Sequence, residues 1–292
     1  MKMTMQPALP ARHVDGVILV VISAAIFSTA GIFTKGVNVA AWDVIFWRGI
    51  FASAFTIIYT LVRGSFASEF LHMGRSGWAA AIVGALGTAA FIPSFKYTTV
   101  ANVSLIYAAT PLVAAVLSWL WMGERPTRPV LLGCLVTVLG VGIIVSGSLG
   151  SIHLLGDLLA CFMVLVMAIM FVIYRRYPET PAAGPAVWSS LLLLPLAFFL
   201  GVPFTDTAGQ ISILAGFGLA FALGSVTLGE GARRLPAIET ALLSLLEVAL
   251  APVLAWLIFA EHLSLNTWAG GALILAGIIG SQIASSRRRT AS

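Results

Sequence analysis

Long apolar stretches, broken at short intervals by charge, proline or glycine, run the length of this chain. They show neither the strict period-two alternation of a half-buried strand nor the one-sided stripe of a soluble helix. Reading the breaks gives ten segments, at about 14–35, 42–63, 77–97, 101–122, 129–148, 153–174, 183–203, 209–229, 236–259 and 265–285. Most have the length of roughly 20 residues that a helix needs to cross the hydrocarbon of a bilayer. A continuous helix satisfies its own backbone, which is what lipid demands. A membrane β-barrel would instead show alternating segments of about ten residues. The linkers are short, so successive helices are expected to be antiparallel neighbours. The pattern predicts an all-α integral membrane protein of ten transmembrane helices, a single membrane domain over residues 1–292 with short tails.

Composition agrees and excludes other classes. Of 292 residues, 60% are hydrophobic and 9% charged, against roughly a quarter charged in soluble domains, and the mean hydropathy is +1.03. The net charge of +5 points to topology rather than to nucleic acid. With the N-terminus on the cytoplasmic side, Lys2, Arg12, Arg63, Arg75, Arg125, Arg128, Arg175, Arg176, Arg233, Arg234 and Arg287 to Arg289 all fall inside. Lys35 and Lys96 fall outside, and Arg48 lies within a span. This bias is lost if one helix is added or removed, so span count and orientation support each other. Both termini are therefore expected in the cytoplasm, with the chain in the plasma (inner) membrane of a bacterium. The two cysteines, Cys134 and Cys161, lie in apolar runs and read as small hydrophobes.

The chain also resembles itself. Shifted by 137 residues, the fourth and fifth segments fall on the ninth and tenth without a gap. Ala114 meets Ala251, Trp119-Leu120 meets Trp256-Leu257, Glu124 meets Glu261, Gly133 meets Gly270 and Gly140 meets Gly277. Two repeats follow, about 14–148 and 153–285, of five helices each. An odd number sends the second half into the membrane from the opposite side, the inverted-repeat plan of alternating-access transporters. The glycines, two turns apart, make a small-residue stripe that lets helix backbones approach closely. The stripes either meet across the pseudo-axis or serve a dimer.

The segment Lys96-Tyr97-Thr98-Thr99-Val100-Ala101, through Pro111 to Gly123-Glu124-Arg125-Pro126, resembles the drug/metabolite transporter superfamily, EamA type. Its second copy runs from Leu235-Pro236-Ala237 through Glu247 to Ala260-Glu261-His262-Leu263-Ser264. Within that family the chain is most similar to the YddG-type exporters of aromatic and other neutral amino acids. The resemblance implies a ten-helix exporter with cytoplasmic termini and a central cavity. Two positions depart from the pattern. The usual Glu-Pro pair of the ninth span is Glu247-Val248, with Pro252 four residues on, and the second Gly-Glu pair is Ala260-Glu261. A bend tied to that proline is expected one turn later.

No His-Glu-x-x-His motif, Gly-x-Ser-x-Gly elbow, phosphate-binding loop or dinucleotide fingerprint occurs. No enzyme activity, metal or cofactor is expected. Ionisable residues deep in a span are the sharper clue, because each costs roughly 3 kcal/mol at the bilayer centre on insertion scales and so faces a cavity or a partner. Glu247, near the middle of the ninth span, is the leading candidate to line a substrate cavity, with a structural hydrogen bond as the alternative. Glu239, near the cytoplasmic start of that span, and Glu230, beside Arg233 and Arg234, are candidates for gating or ion pairing. So are Lys96 and Arg48, the latter expected to snorkel outward, pair with Asp43 or bind a carboxylate.

The fourth span carries Asn102, Ser104, Tyr107 and Thr110. Ser104, Tyr107 and Pro111 share a face by spacing, and Pro111 should bend the helix. In the repeat register Tyr107 pairs with Ser244, and Thr110 with Glu247. This places the fourth and ninth helices on opposite cavity walls. Phe91 with Pro93 and Ser94, Ser23 with Ser28 and Thr29, Trp188, and Met163 with Met167 and Met170 complete the candidates. The functional expectation is a secondary transporter exporting small zwitterionic metabolites, aromatic or neutral amino acids foremost. Another small metabolite, a nucleoside or a drug cation on the same fold stays open, as do a channel or a membrane-embedded enzyme. The partners expected are a small-molecule substrate and the lipid bilayer. No nucleic acid or obligatory protein partner is implied, and a dimer remains possible.

Overall fold

The computed structural model describes residues 10–30, 33, 37–98, 100–146, 154–259 and 265–290. Among these residues the chain is helices and turns, with no strand. The helices are α1 (Pro10–Phe27), α2 (Ala41–Val62), α3 (Gly74–Tyr97), α4 (Val100–Tyr107), α5 (Thr110–Met122), α6 (Arg128–Val145), α7 (Leu154–Arg176), α8 (Ala183–Leu200), α9 (Ala208–Ala232), α10 (Ala237–Ser244), α11 (Leu246–Phe259) and α12 (Leu265–Thr290). Eight helical stretches among the described residues are long and apolar enough to cross a membrane, and two shorter apolar helices, His13–Phe27 and Arg128–Ile144, accompany them. Of the first expected span, α1 runs to Phe27, Ala30 and Phe33 are again helical, and residues 31, 32, 34 and 35 lie outside the described residues.

Two expected helices are interrupted in mid-course. Between α4 and α5 the cause is Pro111, the second residue of α5, which has no N–H to offer the Tyr107 carbonyl four residues back. The Thr110 hydroxyl donates to that carbonyl instead, at 2.6 Å. Between α10 and α11 the chain tightens at Leu245, where the Leu245 N–H meets the Leu242 carbonyl at 3.2 Å and the Val248 N–H meets the Leu245 carbonyl at 3.0 Å. These three-residue steps replace the four-residue ladder, as in a turn of 3₁₀ helix. Pro252 lies inside α11, and the break stands seven residues before it.

The packing pairs helices distant in sequence. α6 packs on α12, α3 on α7, α2 on α8 and α9, α1 on α9, and α10 on α5. The α6–α12 contact is the tightest in backbone terms. A Cβ on Gly133 would stand 2.7 Å from the Gly277 carbonyl oxygen, and one on Gly140 would stand 2.7 Å from that of Gly270. Glycine is needed there because any side chain would collide with backbone. As 133 rises to 140, its partner falls from 277 to 270, so α6 and α12 run antiparallel. The same holds for α2 and α8, where the Asp43 carboxylate accepts from the Val202 N–H at 2.7 Å while Gly49 abuts Ser190. The two glycine stripes meet each other inside one chain.

The outer surface is apolar. Val62, Leu120, Leu132, Phe199 and Leu265 are all more than half exposed, a surface that water would not tolerate and acyl chains would. Cys161 is on this exposed side, and Cys134 is buried. Inside, many hydroxyls are satisfied by their own helices. Thr56 donates to the Ala52 carbonyl at 2.8 Å and Ser281 to that of Ile278 at 2.7 Å. This habit lets an apolar span carry Ser and Thr without an external partner.

Alanine at Gly140 or Gly270 should destabilise the purified protein by about 1–3 kcal/mol, the usual cost of overpacking. Alanine at Gly142 or Gly271, where nothing lies within 4 Å, should be neutral or slightly stabilising. Thermal unfolding in detergent checks this, and equal behaviour of the two pairs would contradict the close crossing.

Candidate functional site

A cavity of about 170 Å³ opens among α1, α2, α3, α7, α8 and α9, closed on one side by α4, α10 and α11. Its wall is mostly apolar. Phe27, Phe91, Phe171, Phe217 and Phe221 supply rings, and Met163, Met167 and Met170 on α7 supply thioethers. Thioethers are polarisable and flexible, so they adapt to an apolar cargo group of variable shape. Against this wall stand a few polar groups: Ser23, Arg48, Thr88, Tyr107, Tyr174, Ser189, Ser225, Ser244 and Glu247. Such a pocket, apolar with few convergent polar groups, is the usual form of a small-molecule site.

Glu247 owes its position to the break at Leu245. The break starts a new helix at mid-depth, and Glu247 lies in its first turn. The unpaired N–H groups of a helix start favour a negative charge. Without the break, this acid would sit in a helix interior with no such compensation. The Tyr107 hydroxyl is its hydrogen-bond partner from the facing end of α4. Two interrupted helices therefore meet at the same depth and present a phenol and a carboxylate together. Ser244 joins them, its hydroxyl donating to the Thr240 carbonyl at 2.9 Å, which leaves its oxygen lone pairs toward the cavity.

The structure thus brings together Glu247, Ser244, Tyr107, Phe91 and Met163 in one wall system. The expected opposition of the fourth and ninth helices is corrected. Tyr107 and Glu247 are hydrogen-bonded neighbours, and α10 packs on α5. Ser104 does not line the cavity. Because α4 ends at Tyr107, the face that Ser104, Tyr107 and Pro111 would share is not continuous. Pro111 is buried at the break. Lys96 and Asn102 fall on helices, but their side chains lie outside the described set. Trp188 packs against Trp78, ring centres 5.0 Å apart and planes tilted by 43°, and does not line the cavity, and the Ser94 hydroxyl turns back to the Phe91 carbonyl.

Arg48 is a further correction. It neither snorkels nor pairs with Asp43. It is 4% exposed and lines the cavity, because Asp43 faces the other way and holds the chain at the end of α8. Its guanidinium lies over the Phe221 ring, 4.0 Å from the ring centre. Phe217 and Phe221, one turn apart on α9, were not singled out from sequence. An apolar span full of aromatics does not say which of them faces inward.

Several of the remaining ionisable residues form pairs at one end of the bundle. Glu230 pairs with Arg234 at 2.7 Å and with Arg233, and Glu124 pairs with Arg175 at 2.7 Å. Glu239 is buried and meets His13 Nε2 at 2.9 Å, tying α1 to α10. Glu239 lines a separate hollow with Ser118, Glu124 and Arg125, not the central cavity. His13 escaped sequence reasoning, since its partner stands 226 positions away. Among the described residues no group of three or more His, Cys, Asp or Glu could hold a metal ion.

The model of the EamA-like transporter family matches residues 14–146 and, again, residues 154–282. A Bacillus subtilis (strain 168) protein described as the uncharacterized transporter YwfM is 25% identical over 256 residues, 82% of this chain and 86% of its own length. A solved protein crystal structure superposes with a TM-score of 0.83 at 18% identity, covering 94% of this chain and 99% of that one. At that identity the likeness is one of fold alone.

Replacing His13 by Ala, Glu239 by Gln, and both together tests the tie between α1 and α10. A double-mutant cycle on thermal unfolding should return a coupling of roughly 0.5–3 kcal/mol. A coupling of zero would mean that the pair contributes nothing to holding this end.

Proposed function

Since the chain belongs to the EamA-like transporter family, we propose that it is a secondary carrier exporting small zwitterionic metabolites by alternating access, with aromatic and other neutral amino acids as the cargo that suits the cavity best. The observation that carries this reading is the pairing of Glu247 with Tyr107 inside an otherwise apolar cavity at mid-depth. An acid there attracts an ammonium group, and its phenol partner gives it a hydrogen bond while the site is empty. The surrounding Phe and Met side chains take up an apolar cargo group.

Several observations support the two-repeat carrier plan. The family model matches twice in succession, over 14–146 and 154–282. Under the 137-residue shift Gly133 corresponds to Gly270 and Gly140 to Gly277, and the structure pairs 133 with 277 and 140 with 270. Equivalent helices of the two halves therefore cross antiparallel, as an inverted repeat requires and a same-way-up duplication does not. Two helices interrupted at the cavity are also the form in which carriers expose helix ends to a charged cargo. In ten spans the basic bias puts both chain ends, and the ion pairs of Glu230, Glu124 and Glu239, on the cytoplasmic side of a bacterial inner membrane. Tyr107, Ser244, Phe91 and Met163 act with Glu247 in binding, as would Asn102. Glu239 and Glu230 belong to a cytoplasmic gate whose ion pairs must part for cargo to enter.

Proteoliposomes loaded with unlabelled phenylalanine should take up labelled phenylalanine by saturable counterflow. Glu247→Gln should lower the initial rate by roughly tenfold or more, the loss expected when a charge-assisted hydrogen bond is removed. Glu179→Gln, at an exposed position, should leave it unchanged. Flux that rises linearly without saturation would point to a channel, a changed product mass to an enzyme, and equal rates in the two variants would remove Glu247 from the site.

A further inference from the structure

Among the described residues Arg48 has aromatic rings but no anion and no hydrogen-bond acceptor beside it. The residue is buried on α2, and its guanidinium carbon stands 4.0 Å from the Phe221 ring centre and 5.7 Å from that of Phe217. Among the described residues no hydrogen bond or ion pair reaches it, and its Nε–H is buried without a partner. The rings attract the positive charge but offer no oxygen acceptor to the five N–H donors of the guanidinium. The acid nearest in sequence, Asp43, is engaged by the Val202 N–H, and Glu247 is turned to Tyr107. A buried charge without a partner carries a large desolvation penalty, and at bilayer depth such a residue marks a functional site by default.

We propose that Arg48 is the carboxylate-binding residue of the cargo site, and that it selects zwitterions over simple amines. The argument rests on the carrier reading above. A planar fork of N–H donors matches the two oxygens of a carboxylate, and contact with Phe221 holds the guanidinium at the cavity wall before cargo arrives, which lowers the ordering cost of binding. Glu247 takes the ammonium group across the same cavity. Cargo with both charges answers both residues at once. Cargo with an ammonium group alone leaves Arg48 as unpaired as it is in the empty protein. Lysine would supply charge without the fork, so Arg48→Lys retains selectivity only in part.

Counterflow of labelled phenylalanine in proteoliposomes is competed with phenylalanine, with phenethylamine, which lacks the carboxylate, and with 3-phenylpropanoate, which lacks the ammonium. In the unmodified protein phenethylamine should compete about tenfold more weakly than phenylalanine or worse, the worth of one charge-assisted contact. In Arg48→Gln that gap should close to about twofold, with Arg48→Lys between the two. An unchanged gap in Arg48→Gln overturns the proposal. Melting in detergent decides it independently of transport. Without cargo, Arg48→Met should melt higher than the unmodified protein, because an unanswered buried charge has been removed. Adding 3-phenylpropanoate should raise the melting temperature of the unmodified protein and leave that of Arg48→Gln where it was. A lower-melting Arg48→Met, or equal shifts with the carboxylate, assigns Arg48 a structural role and overturns the proposal. If phenylalanine is not carried at all, the carrier reading fails on its own, and the melting comparison still decides the role of Arg48.

Discussion

Inside a bilayer every polar group must be answered by the protein or by something the protein holds, because the surrounding hydrocarbon offers no hydrogen bond. That constraint orders the interior of this chain. Backbone groups are answered by helices, and most buried hydroxyls by a carbonyl three or four residues back. Ion pairs at one end answer Glu124, Glu230 and Glu239. One cavity holds two further ionisable groups, Glu247 beside a phenol and Arg48 against two aromatic rings. A protein that merely had to fold would gain by replacing either group with a hydrophobe. Their presence in one hollow is the physical basis for reading that hollow as a place where a charged molecule is received.

The helix breaks and the glycine crossing serve that hollow in different ways. The breaks at Pro111 and Leu245 end two ladders at the same depth, which brings Tyr107 to Glu247 and gives the carboxylate the start of α11. The crossing of α6 and α12 lies outside the cavity, backbone nearly against backbone, with no room for a side chain at Gly133, Gly140 or Gly277. It is a rigid seam. Around the cavity Phe and Met side chains fill the space between helices, while α9 also comes close to the backbone of α2 at Gly218 and of α1 at Gly231.

Much of this was legible in the sequence, and the reasons for the rest are physical. Bilayer thickness fixes the length of an apolar run, so the helices stand out one by one. The repeat stands out because Trp, Glu and Gly recur in step. Pro111 announces its break, since proline removes a donor wherever it stands. The break at Leu245 has no such mark. It lies in an unbroken apolar run, and Pro252 pointed one turn past the acid instead of ahead of it. Arg48 misled because Asp43 is close in sequence, and only the packing of α2 on α8 shows that Asp43 faces away. His13 was missed because its partner belongs to a helix near the other end of the chain. The facing of Phe217 and Phe221 was hidden because inward and lipid-facing aromatics read alike in an apolar span.

The central claim is that the hollow around Glu247 opens to each side of the membrane in turn. Its most direct test is a cysteine at Ser244, in a chain whose Cys134 and Cys161 are replaced, labelled with a membrane-impermeant maleimide in right-side-out and in inverted vesicles. The account predicts labelling from both sides, slowed from each by phenylalanine, with no passage of the reagent through the protein. Labelling from one side alone under every condition, or none from either, would contradict it.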